Sequence, residues 1–530
     1  MNRELTSMAG MSLGTLFSRL TGFAKWAMLG AALGFSPMAD AYNLAHILPT
    51  MIYELVLGGI LTAVLIPVVV EQLAAQDRDQ AWLAVSKLVN AAALVLLAVT
   101  LSCWLAAPWL VRLQTLKIDG ADRKLVQFFF AFFTPQVLFY GLSAIGTGLL
   151  NARHRFTMAA FAPVLNNLAV IASLALYLLW PAFGEAGLAI GTTLGVLLQA
   201  LVLAPSLRAA GFRYFPAVDF RHPAVVKMVR LSGPVALYVI FNQVNLTVQN
   251  NLAIPLQGGV SALQYAFAFY VLPHGLLAVS IGTVMLPGLS ELAIGKDWAG
   301  FARKVEQGLS WSAAVIVPAM AVYLAMSLPI VEVLMQRGRF TTADSSLLAT
   351  VLSCYSLGLL SFTVYLFINR VFYSLQDTWT PLALNFTGNL ANSVFNLLAV
   401  GSLGVPALAL GHALGYTVIA AAGVVLIARR VRQINMRPVL ASLVRVAAAS
   451  AVVGLFGLAV SQAWARWLGE ASIWGKAGIM GAALAAAGVV YLAAAKAAGV
   501  REIGALAELA RQRFGKRRLG GGGFSDQGAI

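Results

Sequence analysis

The stretch "MAGMSLGTLFSRLTGFAKWAMLGAAL", residues 8–33, is a long apolar run that contains an arginine and a lysine. A membrane-spanning helix needs about 20 mainly apolar residues, and this run exceeds that length. Arg19 lies near its middle, where an arginine costs about 2.5–3.5 kcal/mol on insertion scales. The run therefore predicts a transmembrane helix in which Arg19 needs a partner, a hydrated cavity or a bound anion.

Composition extends this prediction to the whole chain. Of the 530 residues, 60% are hydrophobic and 11% are charged, whereas a soluble domain carries about 25% charged residues. Little sequence lies between the apolar runs, which leaves no room for a separate soluble domain. We predict an all-α polytopic membrane protein with about 14 transmembrane helices, at residues 8–33, 39–70, 82–111, 125–150, 158–180, 184–207, 231–256, 261–292, 306–335, 346–374, 379–402, 404–428, 438–465 and 473–497.

The basic residues are distributed unevenly along the chain. The formal net charge is +16, from 36 Lys and Arg against 20 Asp and Glu. If both termini are cytoplasmic, about 25 of the 36 basic residues lie inside and about 8 outside, which is the positive-inside pattern. The charge therefore predicts an even number of spans in a multi-pass membrane protein. It does not indicate binding to nucleic acid.

An internal repeat divides the predicted helices into two sets of six. Three pairs of stretches match in the same order, with offsets near 220 residues. The pairs are "IPVVVEQLA" (66–74) with "LPGLSELA" (286–293), "GADRKL" (120–125) with "TADSSL" (342–347), and "LNARHRFT" (150–157) with "YSLQDTWT" (373–380). An offset of six helices preserves topology, so the repeats are parallel, and such repeats are typical of transporters.

The repeat predicts five segments. Residues 1–207 form an N-terminal lobe and residues 231–428 a C-terminal lobe of six helices each, joined by a cytoplasmic connector at 208–230. The last two helices, within 438–497, lie outside the repeat. Residues 498–530 form a basic, flexible cytoplasmic tail.

Polar residues form stripes on the first two predicted helices. Ser12, Thr15, Arg19 and Gly22 share one face of helix 1, with Lys25 at its edge. Helix 2 carries a longer stripe, of Asp40, Asn43, His46, Thr50, Glu54, Gly58 and Thr62. One interpretation is a static ion pair between Arg19 and Glu54. The other is a hydrated cavity whose positive side binds an anion.

Amide side chains form further stripes in the C-terminal half. Asn385, Asn389, Asn392 and Asn396 follow helical spacing on helix 11, and Asn242, Asn245 and Gln249 do so on helix 7. Such amides serve either as contacts between helices or as a cavity lining, and the sequence favours neither. His274 on helix 8 is interpreted as a hydrogen-bonded structural residue rather than a proton relay.

No enzyme motif is present. The sequence contains neither a phosphate-binding P-loop nor a His-Glu-x-x-His motif, and no carboxylates cluster as metal ligands. Cys103 and Cys354 fall in predicted helices and match no disulfide or metal pattern. We therefore expect a transporter with no catalytic residues, no metal site and no cofactor.

Several stretches together resemble the MurJ/MviN family of lipid II flippases, within the multidrug/oligosaccharidyl-lipid/polysaccharide exporter superfamily. These stretches are "GTLFSRLTGFAK", "ADAYNLAHILP", "RFTMAAFAPVLNN", "IGTVMLPGLSE", "RGRFT" and "FYSLQDTWTPL". "YELVLGG" (53–59) is similar to the branch found in high-GC Gram-positive bacteria. The resemblance implies two six-helix lobes and two C-terminal helices that form a groove for a lipid tail.

The resemblance also implies a substrate and partners. The expected substrate is lipid II, the undecaprenyl-diphosphate-linked muropeptide, exported to the outer leaflet of the bacterial cytoplasmic membrane. Membrane lipids and cell-wall synthesis proteins are the expected partners. The sequence leaves two alternatives open: export of another polyprenyl-linked glycan or an amphipathic drug, and a transport-inactive membrane scaffold for cell-wall enzymes.

The family pattern carries over only in part. Arg19 matches a cavity arginine, Lys25 stands where many members have a second arginine, and Asp40 matches an acidic position. Tyr53 and Glu54 stand where many members have paired arginines, and Ala268 and Val271 replace an arginine and a glutamate. Segments 231–256 and 379–402 contain no Asp or Glu, so a sodium site is not expected. The predicted cavity residues are Arg19, Lys25, Asp40, Tyr53, Glu54, Asn245, His274, Asn385 and Asn389.

Overall fold

The computed structural model describes residues 2–54, 78–116, 120–153, 155–275, 279–467 and 472–504. These ranges contain α-helices, one short 3-10 helix at Pro181–Phe183 and no strand, which confirms the predicted all-α class. In chain order the helices are α1 (Asn2–Leu33), α2 (Pro37–Glu54), α3 (Arg78–Leu105), α4 (Ala107–Gln114), α5 (Gly120–Phe133), α6 (Gln136–Ala152), α7 (Phe156–Leu179), α8 (Gly184–Leu201), α9 (Leu203–Ala209), α10 (Pro223–Ala253), α11 (Gly259–Pro273), α12 (Val279–Ile294), α13 (Trp298–Met335), α14 (Thr342–Ser356), α15 (Leu359–Ser374), α16 (Trp379–Leu403), α17 (Val405–Arg430), α18 (Met436–Trp467) and α19 (Ile473–Ala497).

Helices lie at all fourteen predicted positions, although the second predicted span is described only up to Glu54. Within the described ranges, eight helices are long and apolar enough to cross a membrane, or nine if a bent pair counts as one span. That pair is α14 and α15, which meet at an angle of 45°. Of the remaining predicted spans, the second extends beyond the described residues, and the others carry more polar residues or are divided into shorter helices.

The chain divides into two compact units. Unit 1 comprises Met1–Ala268, Leu334–Val351 and Asn389–Gly411, and unit 2 comprises Phe269–Val333, Leu352–Gly388 and His412–Ile530. The two six-helix lobes and their pseudo-symmetry remain a prediction from the repeat.

In unit 1, α1 packs along α7 over much of its length. A side chain at Gly14 would lie only 2.9 Å from Ala160 and Phe161, so glycine permits this close approach. The Asn167 amide donates hydrogen bonds to the Ser18 carbonyl and to the Thr21 hydroxyl, both at 3.2 Å. Small residues and amides of this kind bring helices together in a membrane, where apolar burial alone does not favour association.

The predicted connector also belongs to unit 1, and its first part lies along α3. The Asn90 amide donates to the carbonyls of Phe215 and Ala217, both at 2.9 Å. The Lys87 ammonium pairs with the Asp219 carboxylate at 3.2 Å. Residues 212–222 are therefore tied to α3, and α10 begins directly after them, at Pro223.

In unit 2, α18 and α19 pack against α13 through a buried apolar cluster. The cluster contains Ala314 and Val317 of α13 and Val446 of α18, and the Tyr491 hydroxyl of α19 donates to the Ala314 carbonyl. These are the two helices that the sequence places outside the repeat. Their role in holding a lipid tail remains a prediction.

Large apolar side chains cover much of the outer surface. Trp109, Leu179, Leu398 and Trp474 each expose more than three quarters of their area. A soluble monomer rarely exposes large apolar patches. A surface of this kind is suited to contact with lipid.

Candidate functional site

Arg19 projects from α1 on a face that α7 does not cover. The α7-facing side carries Ser18, through its hydrogen bond with Asn167, and Gly22, whose Cβ position is 3.4 Å from the same amide. Arg19 lies about 100° round the helix from Ser18, and its side chain is exposed. Within the described residues, no hydrogen bond or ion pair holds its guanidinium.

The face that carries Arg19 can be followed towards the end of α1. Trp26 and Gly30 lie seven and eleven residues after Arg19, which places all three in one line on the helix. Trp26 contacts Tyr265 with ring centroids 5.6 Å apart, and a Cβ at Gly30 would lie 2.8 Å from Met335. The face therefore points towards residues of the predicted C-terminal lobe.

Lys25 lies about 120° round the helix from Arg19, on the side that carries Ser18, and is half-buried. Its ammonium is 5.2 Å from the centroid of the Trp26 ring, within the range of a cation–π interaction. Lys25 thus adds a second positive charge one to two turns beyond Arg19.

Two predicted cavity residues fall at the limit of the described structure. The backbone of α2 continues to Glu54, but the side chains of Tyr53 and Glu54 lie outside the described residues. The predicted pairing of Arg19 with Glu54 lies there too. Both interpretations of Arg19 therefore remain predictions.

Asp40 joins the first turn of α2 to the first turn of α11. Its Oδ1 accepts a hydrogen bond from the Ser261 backbone N–H at 2.8 Å and another from the Ser261 hydroxyl at 2.5 Å. The Asn43 amide donates to the same hydroxyl at 3.1 Å. The first N–H groups of a helix lack partners within the helix and attract negative charge, so Asp40 acts as a cap on α11.

Sequence analysis missed Ser261, the partner of this carboxylate. The one local signal is the pair Gly258–Gly259 in front of it, because Gly258 has a positive φ of 66°, which favours glycine. A side chain at Gly258 would also collide with the Phe35 ring at 2.8 Å.

Three chain turns meet beside this contact, and we call them the loop cluster: Gly34–Phe35, Gly258, and Gly338–Phe340. Gly34 and Gly338 have φ values of 60° and 58°. The Arg339 N–H donates to the Ala31 carbonyl at 2.9 Å. The Phe35 ring packs edge-on against Phe340 with centroids 5.0 Å apart. The loop cluster thus joins the end of α1 and the start of α2 to residues of the predicted C-terminal lobe.

Asn245 and Asn389 belong to an amide ladder between α10 and α16, formed by Asn242, Asn245, Asn389, Asn392, Ser393 and Asn396. The Asn245 amide donates to the Asn389 carbonyl at 2.9 Å and to the Ser393 hydroxyl at 3.0 Å, and accepts from Asn392 at 3.0 Å. The Asn389 amide donates to Asn242 at 3.2 Å. Within the described residues, the ladder gives these amides partners in the protein, with the exception of the buried Asn396 Oδ1. This favours the helix-contact interpretation over a cavity lining.

His274 and Asn385 lie in unit 2 and are buried. His274 Nδ1 is 3.1 Å from the Thr363 hydroxyl, and the Asn385 amide donates to the Tyr365 hydroxyl at 3.3 Å. Both contacts join neighbouring helices, and they are compatible with the structural interpretation of His274, which remains a prediction. Whether either residue meets the substrate remains a prediction.

The described residues contain no clustered metal ligands. No group of three or more His, Cys, Asp or Glu side chains suited to a metal ion occurs there. Cys103 and Cys354 are free thiols.

Comparison with known proteins gives a consistent family. A family model described as "Lipid II flippase MurJ" matches residues 29–477. A probable lipid II flippase MurJ of Rhizobium tropici is 28% identical over 519 residues, which cover 95% of both chains. One of Rhizobium meliloti (strain 1021) is 31% identical over 395 residues, 72% of both chains.

Solved structures show the same fold. A lipid II flippase MurJ in an inward closed conformation has a TM-score of 0.75 at 21% identity, covering 91% of this chain and 97% of that one. An inward-facing multidrug resistance transporter of the MATE family has a TM-score of 0.67 at 13% identity, over 81% and 98%. The family model covers most of the sequence, and the helices follow a transporter fold. The chain belongs to the MurJ family of lipid II flippases.

Proposed function

We propose that this chain moves lipid II from the cytoplasmic to the outer leaflet by alternating access, and that Arg19 and Lys25 attract its pyrophosphate. The observation that carries the proposal is the position of Arg19. Its guanidinium is exposed near the middle of α1, on the face directed towards the predicted C-terminal lobe. A pyrophosphate is an anion that such a cation binds well, because hydrogen bonds between charged partners are about twice as strong as neutral ones.

The two cations supply different chemistry. The planar guanidinium of Arg19 can donate two parallel hydrogen bonds to a phosphate group, whereas the Lys25 ammonium is a point charge. The Trp26 ring at 5.2 Å covers one side of that ammonium. Arg19 therefore orients the pyrophosphate, and Lys25 adds attraction.

Contacts at the loop cluster support the alternating-access step. The hydrogen bonds from Ser261 to Asp40 and from Arg339 to Ala31 join residues of the two predicted lobes. Under the predicted topology these turns face the outside, since α1 runs outward from a cytoplasmic N-terminus. Opening the outer side requires these bonds to break, and their breaking is the step that alternates with closure of the inner side.

Topology and cell-wall partners belong to the same proposal. Both termini lie in the cytoplasm, in keeping with the Lys and Arg distribution, and cell-wall synthesis proteins receive the exported precursor. In intact cells, an impermeant thiol reagent should label a cysteine placed at Lys476 and spare one placed after Lys516. Labelling of the tail from outside would refute this topology, and co-purification from solubilised membranes tests the partners.

Rescue of a flippase-depleted bacterium tests the function. The chain should restore growth and raise the amount of lipid II that an external probe detects. An expressed chain that exports another polyprenyl-linked glycan, or that sustains growth only as a scaffold without moving lipid II, would replace the proposal with one of those alternatives.

A further inference from the structure

An apolar cleft of about 330 Å³ opens between α16 and α17 in unit 2. Ala383, Leu384 and Thr387 line it on α16, and Ile419, Ala422 and Leu426 line it on α17. The helices approach each other closely at Gly388, where any side chain would collide with Ile419. From this crossing the cleft extends towards the start of α16 and the end of α17.

Both threonine hydroxyls at the cleft donate hydrogen bonds within the protein. The Thr387 hydroxyl donates to the Ala383 carbonyl of its own helix at 2.9 Å. The Thr380 hydroxyl, at the mouth, donates to the Asp377 carboxylate at 2.7 Å. The cleft therefore suits a hydrocarbon chain rather than a polar ligand.

The mouth of the cleft carries a side chain that is typical of a membrane interface. Trp379, the first residue of α16, is 70% exposed, and exposed tryptophans collect where lipid headgroups meet the hydrocarbon. The distance from Trp379 to Thr387 is about 12 Å along the helix. That depth fits within one leaflet of a hydrocarbon core about 30 Å thick.

Cations surround this mouth in the stretch "RRVRQINMR", residues 429–437. Arg430 pairs with Asp377 at 2.6 Å, through the same oxygen that accepts the Thr380 hydroxyl. Arg429, Arg432 and Arg437 are exposed, and no described residue forms an ion pair with them. The Glu306 carboxylate also reaches this stretch, where it accepts from the Asn435 N–H at 2.6 Å. Four arginines against two carboxylates leave an excess of two positive charges.

We propose that this cleft binds an acyl chain of an anionic phospholipid, whose phosphate is held by Arg429 and Arg432. Leu426 in the cleft and Arg429 lie three residues apart on one face of α17, so chain and headgroup can bind together. Under the predicted topology the cations face the inner leaflet. The site is separate from the cations of α1, and the proposal does not depend on lipid II transport.

A photolabelling experiment tests this site on the full chain in nanodiscs without lipid II. The discs contain phosphatidylcholine and a trace of either phosphatidylglycerol or phosphatidylcholine with a photoreactive acyl chain. Phosphatidylglycerol should label peptides within 379–388 and 415–428 more strongly than phosphatidylcholine does. Each arginine near a charged headgroup is worth roughly fivefold in affinity, so two should give a preference of roughly 25-fold.

Matched variants distinguish binding in the cleft from attraction of anionic lipid to any basic surface of the protein. Ala422→Phe fills the cleft and should remove most of this labelling, whereas Ala421→Phe, at the exposed neighbouring position, should preserve it. Arg429→Gln with Arg432→Gln should abolish the preference for phosphatidylglycerol. Arg112→Gln with Arg466→Gln changes the charge equally at other exposed positions and should leave the preference intact.

Three outcomes would overturn the proposal. One is equal labelling of these peptides by both probes, and another is equal loss in the two arginine pairs. The third is labelling that a polyprenyl phosphate displaces while excess phosphatidylglycerol does not, which would assign the cleft to an isoprenoid chain. Since the arginines are exposed, their variants decide the matter even if Ala422→Phe fails to fold.

Discussion

Arg19 can be found in the sequence because it interrupts an apolar run, but its direction depends on which neighbours α1 packs against. Helical spacing placed Arg19 on one stripe with Gly22. In the structure Gly22 borders α7, while Arg19 aligns with Trp26 and Gly30 on another face. Helical spacing alone does not show which of the two positions faces α7. Arg19 and Gly22 are less than one turn apart, so they share a predicted stripe although α7 covers only one of them.

The partner of Asp40 is a second feature that the sequence does not identify. The family resemblance marked it as an acidic position, yet its partner Ser261 is 221 residues away in the chain. No local pattern joins the two, since serine is common and its hydroxyl has no preferred spacing to a distant carboxylate. Only packing of α2 against the start of α11 brings them together.

The Asp40–Ser261 contact should behave as one unit in unfolding experiments. Asp40→Asn and Ser261→Ala should each lower the unfolding temperature in detergent, because hydrogen bonds to a charged group contribute about 1.5–3 kcal/mol. The double variant should cost clearly less than the sum of the two. Ser290→Ala is the control, since that hydroxyl donates only within α12 and should have a small effect. Additive losses would show that the two residues do not stabilise each other.

Among the elements, helix positions follow from the apolar runs, whereas helix breaks do not. Pro273 coincides with the end of α11, but Pro49 and Pro287 lie inside α2 and α12. In α13 the kink is at Met326, where φ is −125° and ψ is 16°, three residues before Pro329. A proline removes one hydrogen bond and crowds the preceding turn, but packing decides whether the helix bends.

The amide ladder is an element that the sequence found without assigning its role. Helical spacing put the asparagines of α10 and α16 on single faces, and both interpretations were compatible with that pattern. The hydrogen bonds that join the two helices, with donor–acceptor distances of 2.9–3.2 Å, favour a helix contact. Which faces meet is a property of packing, so it could not be read from either helix alone.

The connector along α3 should loosen in acid. The hydrogen bond from Lys87 lowers the pKa of the Asp219 carboxyl below its ordinary 3.8, assisted by the Arg221 N–H. A group with a depressed pKa stabilises the fold above its unfolded value, and that contribution is lost as the pH falls through the folded value. Hydrogen exchange of residues 212–222, corrected for intrinsic rates, should therefore rise below about pH 4.

Asp219→Asn provides the comparison for this experiment. At neutral pH its exchange in residues 212–222 should already resemble that of the acid form of the unchanged chain. Its own profile should lack the acid step. A step of equal size in the variant would attribute the loosening to other groups.

At the scale of the whole molecule, the sequence predicted the membrane class, the helix positions and the family, all of which rest on apolar length and distributed motifs. The contact between predicted lobes at the loop cluster was not predicted. It depends on positive φ angles at Gly34, Gly258 and Gly338. The sequence alone does not show which glycines adopt a positive φ, because glycine populates both signs. The lobes themselves remain an inference from the repeat.

A disulfide across the loop cluster should stop transport reversibly. Ala31→Cys with Arg339→Cys, in a chain whose Cys103 and Cys354 are replaced by serine, places two thiols where the backbones are 2.9 Å apart from N to O. Oxidation should abolish flipping because the outer side cannot open, and a reducing agent should restore it. Each single-cysteine chain serves as a control. Full activity of the oxidised, cross-linked chain would show that this contact need not open during transport.

The central claim, that the cations of α1 bind the pyrophosphate, is tested most directly by removing them in a flippase-depleted bacterium. Arg19→Ala with Lys25→Ala should insert at normal abundance yet export almost no lipid II to an external probe. Arg19→Lys should retain part of the activity, since it keeps the charge but loses the forked geometry. Full lipid II export by the normally expressed double variant would contradict the account.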